Sequence, residues 1–122
     1  AMGKKILIVE DEDLIAQVLS IRLEGLGYKV FTASDGEEGL DAVKKEKPDL
    51  VILDIGLPRI NGTALCEMIK ADEATKGVRV IMLTGKRLVG DMENAFSAGA
   101  DLYVNKPYEW PRLLGHIQKL IG

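Results

Sequence analysis

An open α/β domain, five parallel strands covered by helices on both faces, is the fold this sequence predicts. Short runs rich in Val, Ile and Leu alternate with amphipathic stretches of helical length, and no run shows the strict alternation of a half-exposed antiparallel strand. The connections are short, so successive β-α units imply right-handed crossovers. Four of the runs also end in polar clusters, Glu10-Asp11, Asp54, Thr84-Gly85 and Lys106-Pro107. In a parallel sheet all four would gather at the carboxyl edge, where open α/β sheets bind ligands.

The elements follow in order. Ile6-Leu7-Ile8-Val9 forms the first strand, and Asp13 is positioned to cap a helix whose apolar residues Ile15, Val18, Leu19, Leu23 and Leu26 have helical spacing, with Gly27 as its stop. The second strand covers 28–33. Ser34-Asp35-Gly36 then opens a helix with Glu37 and Glu38 in its first turn and Lys44, Lys45 and Lys47 near its last, which suits the helix dipole, and Pro48 ends it. Leu50-Val51-Ile52-Leu53 is the third strand. After Pro58, Asn61 caps a helix through about residue 70, and 71–77 is a polar connector. The fourth strand covers about 79–84, a helix about 89–98 ends at Gly99, and the fifth strand covers about 102–105. The last helix turns Leu113, Leu114, Ile117, Leu120 and Ile121 inward.

Composition narrows the class. At 122 residues, 47% hydrophobic and 29% charged, the chain reads as one soluble domain over 1–122, large enough to fold without disulfides or structural metal. Ala1 ahead of Met2 reads as a cloning remnant. The single cysteine, Cys66, reads as a small buried residue of a reducing compartment. No run is long enough for a signal peptide or membrane span, so a cytoplasmic protein without membrane contact is expected. A net charge of −3 argues against nucleic-acid binding by this domain.

Glu10, Asp11 and Asp54 would repel one another in a partly buried site unless a cation neutralised them. Oxygen ligands favour Mg²⁺ or Mn²⁺, and the only histidine, His116, lies in the last helix, so no zinc set exists. Helix capping is the plainer reading of the acidic pair, but it fits a strand end less well. A carboxylate attacking a phosphoryl group needs charge screening, which a metal and the Lys106 ammonium supply. The Thr84 hydroxyl would donate to a phosphoryl oxygen, and Gly85 would let the backbone approach closely. Tyr103 taken alone reads as a packing aromatic.

The ordered set Glu10-Asp11, Asp54, Pro58, Gly62, Thr84-Gly85, Gly99-Ala100-Asp101, Tyr103 and Lys106-Pro107 resembles a response-regulator receiver domain of two-component signalling, of the chemotaxis-receiver type, over about 4–121. The resemblance implies a flavodoxin-like, doubly wound sheet of strand order 2-1-3-4-5 with five helices. It also implies phosphorylation of Asp54 and Mg²⁺ held by Asp11, Asp54 and the Gly56 carbonyl, with Glu10 acting through water. A cis Lys106-Pro107 peptide and an inward swing of Tyr103 when Thr84 moves toward the phosphoryl group belong to the same set. The implied partner is a histidine kinase or phosphotransfer protein. Such a module is a switch, not an enzyme, catalysing only its own phosphorylation and dephosphorylation.

Some positions depart from the family. Gly56 and Lys86 stand two residues after Asp54 and Thr84, where receivers tune the lifetime of the phosphoryl group. Leu102 and His116 replace an acidic and a basic residue used by the DNA-binding subgroup for dimerisation, so a monomer is expected before phosphorylation. Tyr108 and Trp110 follow the lysine loop and suit either a partner surface or packing on the last helix.

Three competing readings remain. A phosphatase of the haloacid-dehalogenase type would need an acid where Gly56 stands. A nucleotide or flavin module would need a glycine-rich loop where acidic residues follow the first strand. A degenerate receiver serving only as a docking module is disfavoured by the intact acidic, threonine and lysine set.

Overall fold

The computed structural model describes residues 3–85 and 98–122. Five parallel strands, β1 (Lys5–Val9), β2 (Lys29–Ala33), β3 (Leu50–Asp54), β4 (Arg79–Thr84) and β5 (Leu102–Asn105), form one sheet in the order β2-β1-β3-β4-β5. This is the flavodoxin-like order. Four helices are described: α1 (Asp13–Glu24), α2 (Gly36–Glu46), α3 (Gly62–Ala71) and α4 (Trp110–Ile121). The helix expected over about 89–98 lies, but for Ala98, outside the described residues, as do Lys86 and Ala1.

Each sheet face has its own core, as a buried parallel sheet requires. Leu7, Val9, Val51, Leu53, Val80 and Met82 pack on one side with Val43 of α2 and Leu65, Cys66 and Ile69 of α3. Ile6, Ile8, Leu50, Ile52, Ile81 and Leu83 pack on the other with Leu19 and Leu23 of α1 and Leu113 and Ile117 of α4. Cys66 is fully buried, and burial pushes its thiol up to about 11, as expected of a packing cysteine.

The helix ends follow local chemistry. Asp35 caps α2 by accepting from the Glu38 N–H at 2.8 Å, and Asn61 caps α3 by accepting from Ala64 at 2.8 Å. Lys47 stands beyond the last turn of α2, in left-handed backbone at φ 48°. The cap expected at Asp13 is displaced: Glu12 is the N-cap, and no side chain caps the helix. The reason lies in the strand end, where Glu10 takes the Glu12 N–H at 3.2 Å. The predicted inner face of α1 is also corrected, because Val18 is 51% exposed and Leu26 is 49% exposed while Ala16 is buried. Ala16, Leu19 and Leu23 are the α1 residues turned to the sheet, and Val18 lies outside that face.

At the opposite end of the sheet, Asp101 forms a clamp. One of its carboxylate oxygens accepts from Lys70 at 2.9 Å and from the Val80 N–H at 2.8 Å, and the other accepts from Arg79 at 3.2 Å. Lys70 also donates to the Val78 carbonyl at 2.6 Å. The clamp gives Gly99-Ala100-Asp101 a structural meaning, since Gly99 at φ 92° turns the chain beside Lys70.

Candidate functional site

The carboxyl edge gathers the predicted cluster by simple alternation along three strands. Side chains two apart in a strand share a face. Glu10 follows Ile6 and Ile8, Asp54 follows Leu50 and Ile52, and Lys106 follows Leu102 and Val104, all on the α1/α4 side. One carboxylate oxygen from each of Glu10, Asp11 and Asp54 lies within 4.8 Å of the others. Lys106 Nζ donates to Asp54 Oδ2 at 3.0 Å and to Glu10 Oε1 at 3.4 Å.

Among the described residues the site is under-neutralised: three carboxylates face the Lys106 ammonium, and Glu10 is only 4% exposed. Burial raises the Glu10 carboxyl above its ordinary value, and the charge of Asp54 adds to this, against the lowering pull of the Glu12 N–H and Lys106. Burial alone would lower the Lys106 ammonium, but its hydrogen bond and charge pairing with Asp54, followed by Glu10, hold it above the usual lysine value. The donors are hard oxygens around a negative excess, which fits a magnesium-type cation.

The β3–α3 loop closes tightly over Asp54. The Gly56 N–H donates to Asp54 Oδ1 at 3.1 Å, and Gly62 N–H reaches the Ile55 carbonyl at 3.0 Å. A Cβ at Gly62 would overlap the Asp54 carbonyl oxygen and lie 2.8 Å from Ile55 Cα, so glycine is required there. Pro58 is exposed in the same loop. The Lys106-Pro107 peptide is cis.

Thr84 and Tyr103 sit differently from the acidic cluster. Thr84 follows Val80 and Met82, and Tyr103 pairs in register with Met82, so both point to the α2/α3 face. Thr84 is 1% exposed, and its carbonyl accepts the Lys106 N–H at 2.7 Å. Gly85 follows it at the exposed edge, where a Cβ would meet no atom of the described residues. Tyr103 is half-buried and lines a cleft of about 410 Å³ with Asn105, Pro107, Arg112 and His116.

Of the two readings of Trp110, packing is the one the structure shows: it is half-buried on the second core with Leu113 and Ile117 of α4, and the Arg22 guanidinium of α1 lies 5.0 Å above its ring. Sequence reading missed other features. Leu102 is half-buried in the same core. Leu14, Val18 and Ile21 form an exposed apolar stripe on α1, visible in the sequence as a surplus of apolar positions. Arg59, at φ 66°, pairs with Asp35 and Glu37, and no composition signal announces it.

A doubly wound parallel sheet with an oxygen-rich acidic cleft beside a lysine at its carboxyl edge defines a flavodoxin-like module of the chemotaxis-receiver type. The chain belongs to the response regulator receiver domain family, whose model matches residues 6–118. It is 36% identical over 117 residues to the DNA-binding dual master transcriptional regulator RpaA of Synechocystis, covering 96% of this chain and 48% of that one. It is 42% identical over 107 residues to the alkaline phosphatase synthesis transcriptional regulatory protein PhoP of Bacillus subtilis, covering 88% of this chain and 44% of that one. The chain thus spans about half the length of these curated relatives. The crystal structure of the receiver domain of a Pseudomonas aeruginosa sensor histidine kinase, which has a magnesium ion in its active-site cleft, matches with a TM-score of 0.89 at 33% identity, covering 98% of each chain. Receiver domains bind Mg²⁺ at such an acidic site.

Proposed function

We propose that Asp54 accepts a phosphoryl group from the phosphohistidine of a sensor kinase or phosphotransfer protein in a Mg²⁺-dependent reaction, and that the phosphorylated chain presents a changed surface. The observation that carries this reading is the convergence of Glu10, Asp11, Asp54 and Lys106 at one edge, with the ammonium 3.0 Å from Asp54. Asp11, Asp54 and the Gly56 carbonyl would hold the cation, with Glu10 acting through water. When bound, the cation supplies charge neutralisation for the phosphoryl oxygens. An Asp54 oxygen forms the new P–O bond as the donor's P–N bond breaks and its electron pair stays with the imidazole. Lys106 holds the carboxylate in place and screens the incoming charge, while Thr84, which lies on the other face of the sheet before phosphorylation, would move over the edge to give its hydroxyl to one phosphoryl oxygen.

The switch would run through Thr84 and Tyr103, which share the sheet face opposite the acidic cluster. Its output face comprises the helix expected over about 89–98, β5 and α4. A preference of a few kcal/mol for one arrangement suffices to make a minor state the major one. The exposed stripe of Leu14, Val18 and Ile21 begins three residues after Asp11, beside Tyr108, and gives the phosphodonor an apolar footing next to the site. No helix of the described residues is long and apolar enough to cross a membrane.

Acetyl phosphate with Mg²⁺ is the direct test. Intact mass should rise by one phosphoryl group in the wild-type chain and stay unchanged in Asp54→Asn; label persisting in that variant would overturn the assignment. With beryllofluoride, amide shifts should extend to Tyr103 and 89–98. Shifts confined to the loops around Asp11 and Asp54 would reject the output face.

A further inference from the structure

We propose that Arg59 is a positioning residue for the Asp54 site: by tying the 55–61 loop to the amino end of α2, it sets where Gly56 lies relative to Asp54. The inference rests on the phosphoacceptor reading of that site. Arg59 occupies left-handed backbone at φ 66°, a conformation that a residue with a Cβ adopts only when its surroundings hold it there.

Those surroundings are charged and specific. Arg59 Nε lies 3.5 Å from Asp35 Oδ2, and its NH1 donates to Glu37 Oε2 at 3.2 Å. Asp35 is itself fixed, because its other oxygen caps α2 through the Glu38 N–H. The next residue, Ile60, presses on the same helix end: a Cβ built on Gly36 would overlap the Ile60 carbonyl oxygen and lie 2.7 Å from Ile60 Cβ. Two consecutive residues thus grip α2.

The loop is short and closed at its base by the Gly62-to-Ile55 hydrogen bond, and it carries the Gly56 N–H that binds Asp54 Oδ1. A change of backbone at Arg59 is therefore passed to Gly56, three residues away. Arg59 is 67% and Glu37 64% exposed, so their attraction is modest and screened by salt. The tether tunes the loop without holding the fold together.

The test uses amide spectra of the metal-free chain and Mg²⁺ titrations of wild type, Arg59→Gly and Glu37→Gln. Glycine is at ease at φ 66°, so a residue that merely fills a left-handed turn predicts an unaltered site in Arg59→Gly. The tether predicts a shifted Gly56 amide and Mg²⁺ affinity weakened about two- to fivefold in that variant. Glu37→Gln should move the Gly56 amide in the same direction, as should about 0.5 M salt on the wild-type chain. Wild-type Gly56 shifts and affinity in folded Arg59→Gly would overturn the proposal. Should that variant not fold, an unmoved Gly56 amide in Glu37→Gln and in high salt would do so. If the wild-type chain binds no Mg²⁺ or takes no phosphoryl group, the site reading itself fails, while the metal-free Gly56 shift still reads the tether.

Discussion

Lys106 Nζ lies 3.0 Å from Asp54 Oδ2 although 52 residues separate the two in the chain. The pair exists because β3 and β5 flank β4 in one parallel sheet and both end on the same face. Among the described residues it leaves Asp11 and Glu10 with less than one full counter-charge between them, and that imbalance drives the first prediction.

Asp11→Asn removes one repelling carboxylate from the edge. Without Mg²⁺ the variant should be more stable than wild type by about 1 kcal/mol, raising the melting temperature by about 3–5 °C. Saturating Mg²⁺ should stabilise the wild-type chain more than the variant and narrow or reverse the gap. Scanning calorimetry with and without the metal checks both signs, and a wild type that is more stable in both conditions would refute the charge argument.

Gly62→Ala forces a Cβ into the Asp54 carbonyl oxygen. A loss of about 1–3 kcal/mol is expected from such overpacking, read as a lower urea midpoint at unchanged slope. Phosphorylation from acetyl phosphate should slow as well, because the backbone that must shift is that of Asp54.

The Asp101 clamp makes acid stability testable. Burial would raise this carboxyl, but the Lys70 hydrogen bond, the Val80 N–H, the Lys70 charge and the Arg79 hydrogen bond outweigh it and hold the carboxyl below its ordinary value. In acid the unfolded chain therefore binds this proton before the native one does. The clamp's contribution is full above the unfolded value, roughly pH 4, and is lost as pH falls through the lower native value. The stability gap between wild type and Asp101→Asn, from urea melts at successive pH values, should be about 1–3 kcal/mol at pH 7 and shrink below about pH 4.

Cys66 should be inert while the chain is folded. Its thiol is fully buried and pushed up to about 11, so a thiol reagent at pH 8 should label it only at the rate of opening. Labelling should become complete in denaturant. Fast native labelling would mean that the α3 side of the core is open.

Most of the sheet was legible because each strand is a continuous run of Val, Ile and Leu that can be buried on both faces, as with Leu50, Val51, Ile52 and Leu53 at 0–1% exposure. The caps at Asp35 and Asn61 were legible because capping is a local bargain between one side chain and an N–H three residues on. Asp13 was misread because the competing group, Glu10, acts from the strand before it. Val18 was misread because α1 carries more apolar positions than one face can bury, and helical spacing does not say which of them meets the sheet; Ala16 is buried and Val18 is exposed.

The sequence by itself determined the strands, the polar residues that end them and the order in which they occur, since these depend on hydrophobic period and neighbouring residues. Tertiary structure alone decided which face of the sheet each of those ends takes. Strand order and register put Glu10, Asp54 and Lys106 on one face and Thr84 with Tyr103 on the other, and the packing of the 55–61 loop on α2 paired Arg59 with Asp35 and Glu37. Such contacts join residues tens of positions apart through forces that act over a few ångströms, so they exist only once the whole sheet has brought the chain together.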